Sequence, residues 1–144
     1  MPKKPDATVL AFDFGTRRIG VAMGNTLTRV AHPLTTIEAP PTAARFAAIA
    51  ALIGEWQPAQ LVIGLPVHAD GTPHAMTARA KAFARALEAR FALPVALVDE
   101  RFTTQAARSA LASAGLGGRT ARVARDEAAA QIILQQWLDD PHES

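Results

Sequence analysis

The sequence predicts one α/β domain: a five-stranded mixed sheet with helices on its faces. Three short apolar runs open the chain, Val9 to Phe14, Ile19 to Met23 and Val30 to Ile37, spaced closely enough to pair as antiparallel strands. Two later runs, Leu61 to Leu65 and Val95 to Val98, alternate with segments of helical periodicity, the pattern that adds strands parallel to the first. No internal repeat or linker divides the 144 residues, so 1–144 reads as one domain, with 1–6 and 140–144 as flexible tails. A chain of this size buries roughly two-thirds of its unfolded surface, enough for a proper core.

The first run, near-continuously apolar, has the character of a strand covered on both faces. Gly15-Thr16 turns the chain into the second run. Pro33 interrupts the third, which therefore reads as short, and Pro40-Pro41 closes it. The next segment shows Phe46, Ile49, Ala50, Ile53 and Trp56 on one helical face. After the fourth strand and the loop PVHADGTPH, a second helix carries Met76, Ala80, Phe83, Leu87 and Phe91 as its stripe, with Arg79, Lys81 and Arg85 off it. The fifth strand runs into Asp99-Glu100-Arg101, after which Thr103 is the N-cap expected for a helix over about 104–113. A Gly- and Arg-rich loop, GLGGRTARVAR, then precedes a last helix from Asp126 to Leu138.

Composition narrows the function. Twelve of the fifteen basic residues are Arg, whose planar fork suits phosphate and nucleobase contacts, and this favours an anionic partner. Arg and Ala richness also follows from genome composition alone, so the bias is weak. Cysteine is absent, which removes disulfides, thiolate nucleophiles and Cys-ligated zinc and fits the cytoplasm. No stretch approaches the roughly 18 apolar residues of a membrane span, so no membrane partner is expected. His32, His68, His74 and His142 form no i, i+4 pair and have no partner at zinc-site spacing.

The chemistry rests on acids. Asp13 sits inside an apolar strand, where an isolated ionised carboxylate costs several kcal/mol unless a cation meets it. Asp126 precedes Ala129, Ala130, Ile133, Leu134 and Trp137 at helical spacing and so turns toward the core. Its bland alternative is a first-turn acid favoured by the helix dipole, a reading that suits its neighbour Glu127 better, since Glu127 aligns with Gln131 and Gln135 on a polar face. Asp99 and Glu100 point to opposite faces of their strand, so at most one of them shares a site with Asp13. Carboxylates gathered at one end of a sheet repel unless divalent cations neutralise them, and hard oxygen ligands select Mg²⁺ or Mn²⁺. Two such ions about 4 Å apart hydrolyse phosphodiesters in many nucleases.

Four blocks in this order, LAFDFGTRRIGVAMG, LVIGLPVHADGT, VDERFTTQAA and RDEAAAQIILQQWL, resemble the YqgF family of bacterial RNase H-like proteins, known as Holliday junction resolvases and pre-16S rRNA nucleases. The resemblance covers almost the whole chain. It implies the RNase H-like fold and a catalytic, metal-holding set of Asp13, Glu100 and Asp126, which assigns the DER position to Glu100. It implies hydrolysis of a phosphodiester in pre-rRNA or branched DNA. Thr16, Arg17, Arg18, Arg119, Arg122 and Arg125 are then expected on the phosphates, with ordinary solvated surface as the bland alternative for the arginines; ribosomal particles are expected as partners, and the chain is either a monomer or a homodimer. Two departures stand out: arginines replace the lysines usual before the last acid, and Glu127 follows it as an expected surface acid rather than a fourth ligand. Two other readings start from the same residues. Actin-like ATPases use a similar Asp-Gly-Thr hairpin but close two domains around the nucleotide, and a non-catalytic nucleic-acid-binding module needs none of the acids.

Overall fold

The computed structural model describes residues 7–15, 18–38, 43–65, 77–99 and 118–139, and of 118–125 the backbone alone. In chain order the elements are β1 (Thr8–Asp13), β2 (Arg18–Asn25), β3 (Ala31–Glu38), α1 (Ala43–Trp56), β4 (Gln60–Leu65), α2 (Thr77–Phe91), β5 (Val95–Asp99) and α3 (Gly118–Asp139). The sheet order is β3-β2-β1-β4-β5. β1, β2 and β3 pair antiparallel, and β4 and β5 add parallel to β1, as the spacing of the apolar runs predicts.

Side-chain alternation divides the core into two layers. Leu10, Phe12, Ile19, Val21, Ile37, Leu61 and Ile63 face α1 and α2 and pack with Ile49, Phe83 and Leu87. On the opposite face Val9, Ala11, Ala22, Ala31 and Val62 meet Ala130, Ile133, Leu134 and Leu138 of α3. The strand residues beneath α3 are small, and this lets the helix lie close to the sheet.

Several elements differ from the sequence expectation. β3 runs eight residues through Pro33, because β3 is an edge strand and a bulge at its Leu34, opposite the Val21–Ala22 step of β2, absorbs the irregularity there. In α1, Ala50 is exposed while Leu52 packs into the core, since turning the helix toward the larger side chain buries more apolar area. The same turn buries Arg45, whose guanidinium carbon lies 5.6 Å from the centroid of the Phe14 ring and whose pKa is lowered by burial.

The largest difference is in the last helix, which begins at Gly118 rather than Asp126. The RTARVAR stretch, read as loop, is helical, because arginine and alanine are strong helix formers and Gly118 stands at its start instead of inside it. The expected helix over 104–113, Met76 and the two tails lie outside the described residues.

Candidate active site

Asp13 is the last residue of β1, and it shares the alternation of Val9 and Ala11, so it belongs to the α3 face of the sheet. Its partner across the β1–β2 ladder is Gly20. A Cβ added to Gly20 would run into the backbone carbonyl of Asp126 and fall 3.1 Å from its Cβ, so no side chain fits beneath the helix at that point. The glycine therefore brings Asp126 onto the strand next to Asp13, though the two lie on elements at opposite ends of the chain. Sequence reasoning passed over Gly20, yet the signal was available: an isolated glycine inside an apolar strand marks close approach of another backbone.

Asp126 lies within α3, two turns past its start, so the first-turn reading falls for both Asp126 and Glu127. Arg18, at the start of β2, donates from Nε to Oδ2 of Asp126 at 2.6 Å. That hydrogen bond and the charge of Asp126 raise the pKa of Arg18, and the nearby charge of Glu38, its partner across the β2–β3 ladder, adds to the shift. Arg18, expected on substrate phosphate, is paired with Asp126 in this structure. The ion pair spans 108 positions, and nothing in the sequence marks it.

Glu127 is half-buried, not a surface acid: its carboxylate accepts a hydrogen bond from Thr36 Oγ1 at 3.3 Å. The two glutamines of the same stripe also turn to β3. Gln131 Nε2 donates to the carbonyl of Ala31 at 3.0 Å, and Gln135 accepts from the Ala31 amide at 3.0 Å while donating to the carbonyl of Arg29 at 2.9 Å. The polar face of α3 is a docking face.

In β5, Ala96 and Val98 pack with the α3 layer and Val95 with the α1/α2 layer, so Asp99 lies on the face away from Asp13. Glu100, Thr16 and Arg17 lie outside the described residues, as do the side chains of Arg119, Arg122 and Arg125, whose backbone forms the first turns of α3. Among the described residues no three His, Cys, Asp or Glu side chains form a metal-binding group. Asp13 and Asp126 nevertheless supply hard oxygen donors on one face, and Asp126 already attracts a cation in Arg18, so their chemistry fits a divalent ion. No described helix is long and apolar enough to cross a membrane.

A family model described as RuvX, Holliday junction resolvase, matches residues 7–140. The chain belongs to the RuvX family. This is also known as the YqgF family, a group of nucleases, and the chain is an enzyme of that hydrolase class. Among its RuvX-family relatives, proteins from Dechloromonas aromatica and Nitrosomonas europaea, both named "Putative pre-16S rRNA nuclease", are each 55% identical to it. The first alignment covers 94% of this chain and 92% of the relative, the second 99% and 96%. A solved structure of T. thermophilus RuvC in complex with Holliday junction substrate shares the RNase H-like fold, with a TM-score of 0.54 at 18% identity over 92% of this chain and 93% of that one.

Proposed function

We propose that this RuvX-family chain is a cytoplasmic, divalent-metal-dependent nuclease that processes precursor 16S rRNA, with Asp13, Glu100 and Asp126 as its acids. The observation that carries the site is the seating of Asp126 over Gly20, the cross-strand partner of Asp13. The names of the curated relatives support the RNA substrate, and the absence of cysteine suits the compartment.

Asp13 and Asp126 present carboxylate oxygens from β1 and α3, and Glu100 follows β5 as the third acid. Mg²⁺ or Mn²⁺ held by these oxygens supplies water activation and neutralises charge at the phosphodiester. The rest falls to the chain. The arginines at 119, 122 and 125 bring positive charge to the first turns of α3, and Thr16 and Arg17 follow Gly15 in the sequence between β1 and β2; these residues hold the substrate backbone without reading sequence. Asp99, on the other face, takes no part. Residues 1–144 act as one domain, with ribosomal particles as partners.

The description of the family model favours a second substrate, a four-way DNA junction. Junction resolution needs two symmetric cuts and hence a dimer, whereas trimming an RNA end needs one centre.

The test is cleavage of an end-labelled 16S rRNA precursor and of a four-way junction with Mg²⁺ or Mn²⁺, by wild type, Asp13→Asn and Asp126→Asn. RNA cutting that falls about 10²- to 10³-fold in both variants is the expected result. Cutting of the junction alone would transfer the assignment to DNA, and no cutting of either would leave a binding module.

A further inference from the structure

We propose that Arg18 is the resident counter-cation of Asp126 and must leave that carboxylate when a divalent ion binds, so that Arg18 sets the metal affinity of the site. The inference rests on the reading of Asp13 and Asp126 as metal-holding acids.

The α3 face around Gly20 gathers negative charge. Asp13 lies on one side of the glycine and Thr36, with Glu127 bonded to it, on the other; Asp126 is above and Glu38 two register pairs away. Arg18 offsets that charge at Asp126, and its Nε–H occupies Oδ2. The Oδ2 lone pair that accepts the Nε–H, with Nε and Oδ2 2.6 Å apart, is not available to a cation, and a guanidinium beside a divalent ion adds like-charge repulsion. Binding of one is therefore binding against the other. The exchange is feasible because Arg18 keeps 30% of its side chain exposed on a long, flexible stem, and because Glu38, its cross-strand partner on the same face, offers a second anionic seat.

The prediction is read in the intact chain without assaying activity. Mn²⁺ binding is measured by calorimetry for wild type, Arg18→Gln, Arg18→Lys, Asp13→Asn and Asp126→Asn, and the Arg18 Nε–H resonance of the wild type is followed by NMR during a Mg²⁺ titration. Arg18→Gln should bind Mn²⁺ about 3- to 10-fold more tightly, with Arg18→Lys much closer to wild type because it keeps the competing charge. The wild-type Nε–H resonance should lose its hydrogen-bonded shift as Mg²⁺ saturates. Unchanged or weaker Mn²⁺ binding in Arg18→Gln, or an Nε–H signal indifferent to saturating Mg²⁺, overturns the proposal. The NMR arm needs no variant to fold. If Asp13→Asn and Asp126→Asn bind Mn²⁺ as the wild type does, it is the underlying metal-site reading that fails, a result separable from the first.

Discussion

At the scale of single residues, the centre is a contest between charges. The place of Asp13 at the end of a buried strand was legible because the apolar run around it defines that strand, and the inward direction of Asp126 followed from its spacing to Ala129, Ala130 and Ile133, all three of which are buried. Arg18 as the partner of Asp126 was not legible, because an ion pair between distant segments leaves no local pattern. Its contribution to stability is small, about 1 kcal/mol or less, since both side chains keep contact with water. The sign of its pH dependence follows from the raised pKa of Arg18. A group whose folded pKa lies above its unfolded value stabilises fully below the unfolded value and loses that contribution only as pH climbs through the folded one. For arginine both lie far into alkali. The Tm difference between wild type and Arg18→Gln should therefore stay constant from about pH 7 to 10 and not exceed about 4 °C. A difference that grows or vanishes within that range, in thermal melts at several pH values, would contradict this account.

At the scale of elements, the decisive contact is helix α3 on strand β2. Gly20 and Gly24 lie on the same face of β2 but meet different neighbours. A Cβ at 20 runs into helix backbone, whereas one at 24 meets the Cδ atoms of Leu134 and Leu138 at 3.0 and 3.1 Å, with the Val30 carbonyl oxygen also at 3.1 Å. Leucine tips can shift by a few tenths of an ångström; a helix backbone cannot. Gly20→Ala should therefore destabilise by about 2–3 kcal/mol and displace Asp126 from Asp13, while Gly24→Ala should lose about 1 kcal/mol and keep cleavage near wild type. Chemical denaturation beside a cleavage assay checks both, and equal losses at the two positions would remove the special role given to Gly20. The strands were legible to within a residue or two because apolar runs bounded by turn residues define them. The start of α3 was not, because glycine and arginine together read as loop until the helix propensity of the arginines and alanines is counted. The direction of Glu127, Gln131 and Gln135 was missed for a related reason: a polar stripe looks solvated from sequence alone, and here it meets the Thr36 hydroxyl and the Ala31 backbone of β3.

At the scale of the whole molecule, the sheet separates two jobs. The layer beneath α1 and α2 carries the larger side chains, among them Phe12, Ile49, Phe83 and Leu87, and supplies bulk stability. The layer beneath α3 fixes the position of Asp126. Leu87→Ala and Leu134→Ala, one in each layer, should both destabilise by about 2–5 kcal/mol. Once corrected for the fraction folded, only Leu134→Ala should also lower kcat, and equal kcat in the two variants would show that α3 packing does not tune the site. The mixed sheet and its two-sided covering were readable from the order of strands and helices; how closely α3 lies on the sheet was not, since that depends on pairs of small residues brought together only by folding. The long reach of the Arg18–Asp126 pair has a consequence during synthesis. A chain emerging from the ribosome displays the β1–β2 hairpin, with Asp13 and Arg18, long before the residues of α3 have been made. Nascent protein surrounded by RNA thus holds an incomplete set of the proposed acids, and Asp126 joins Asp13 only when the late helix docks.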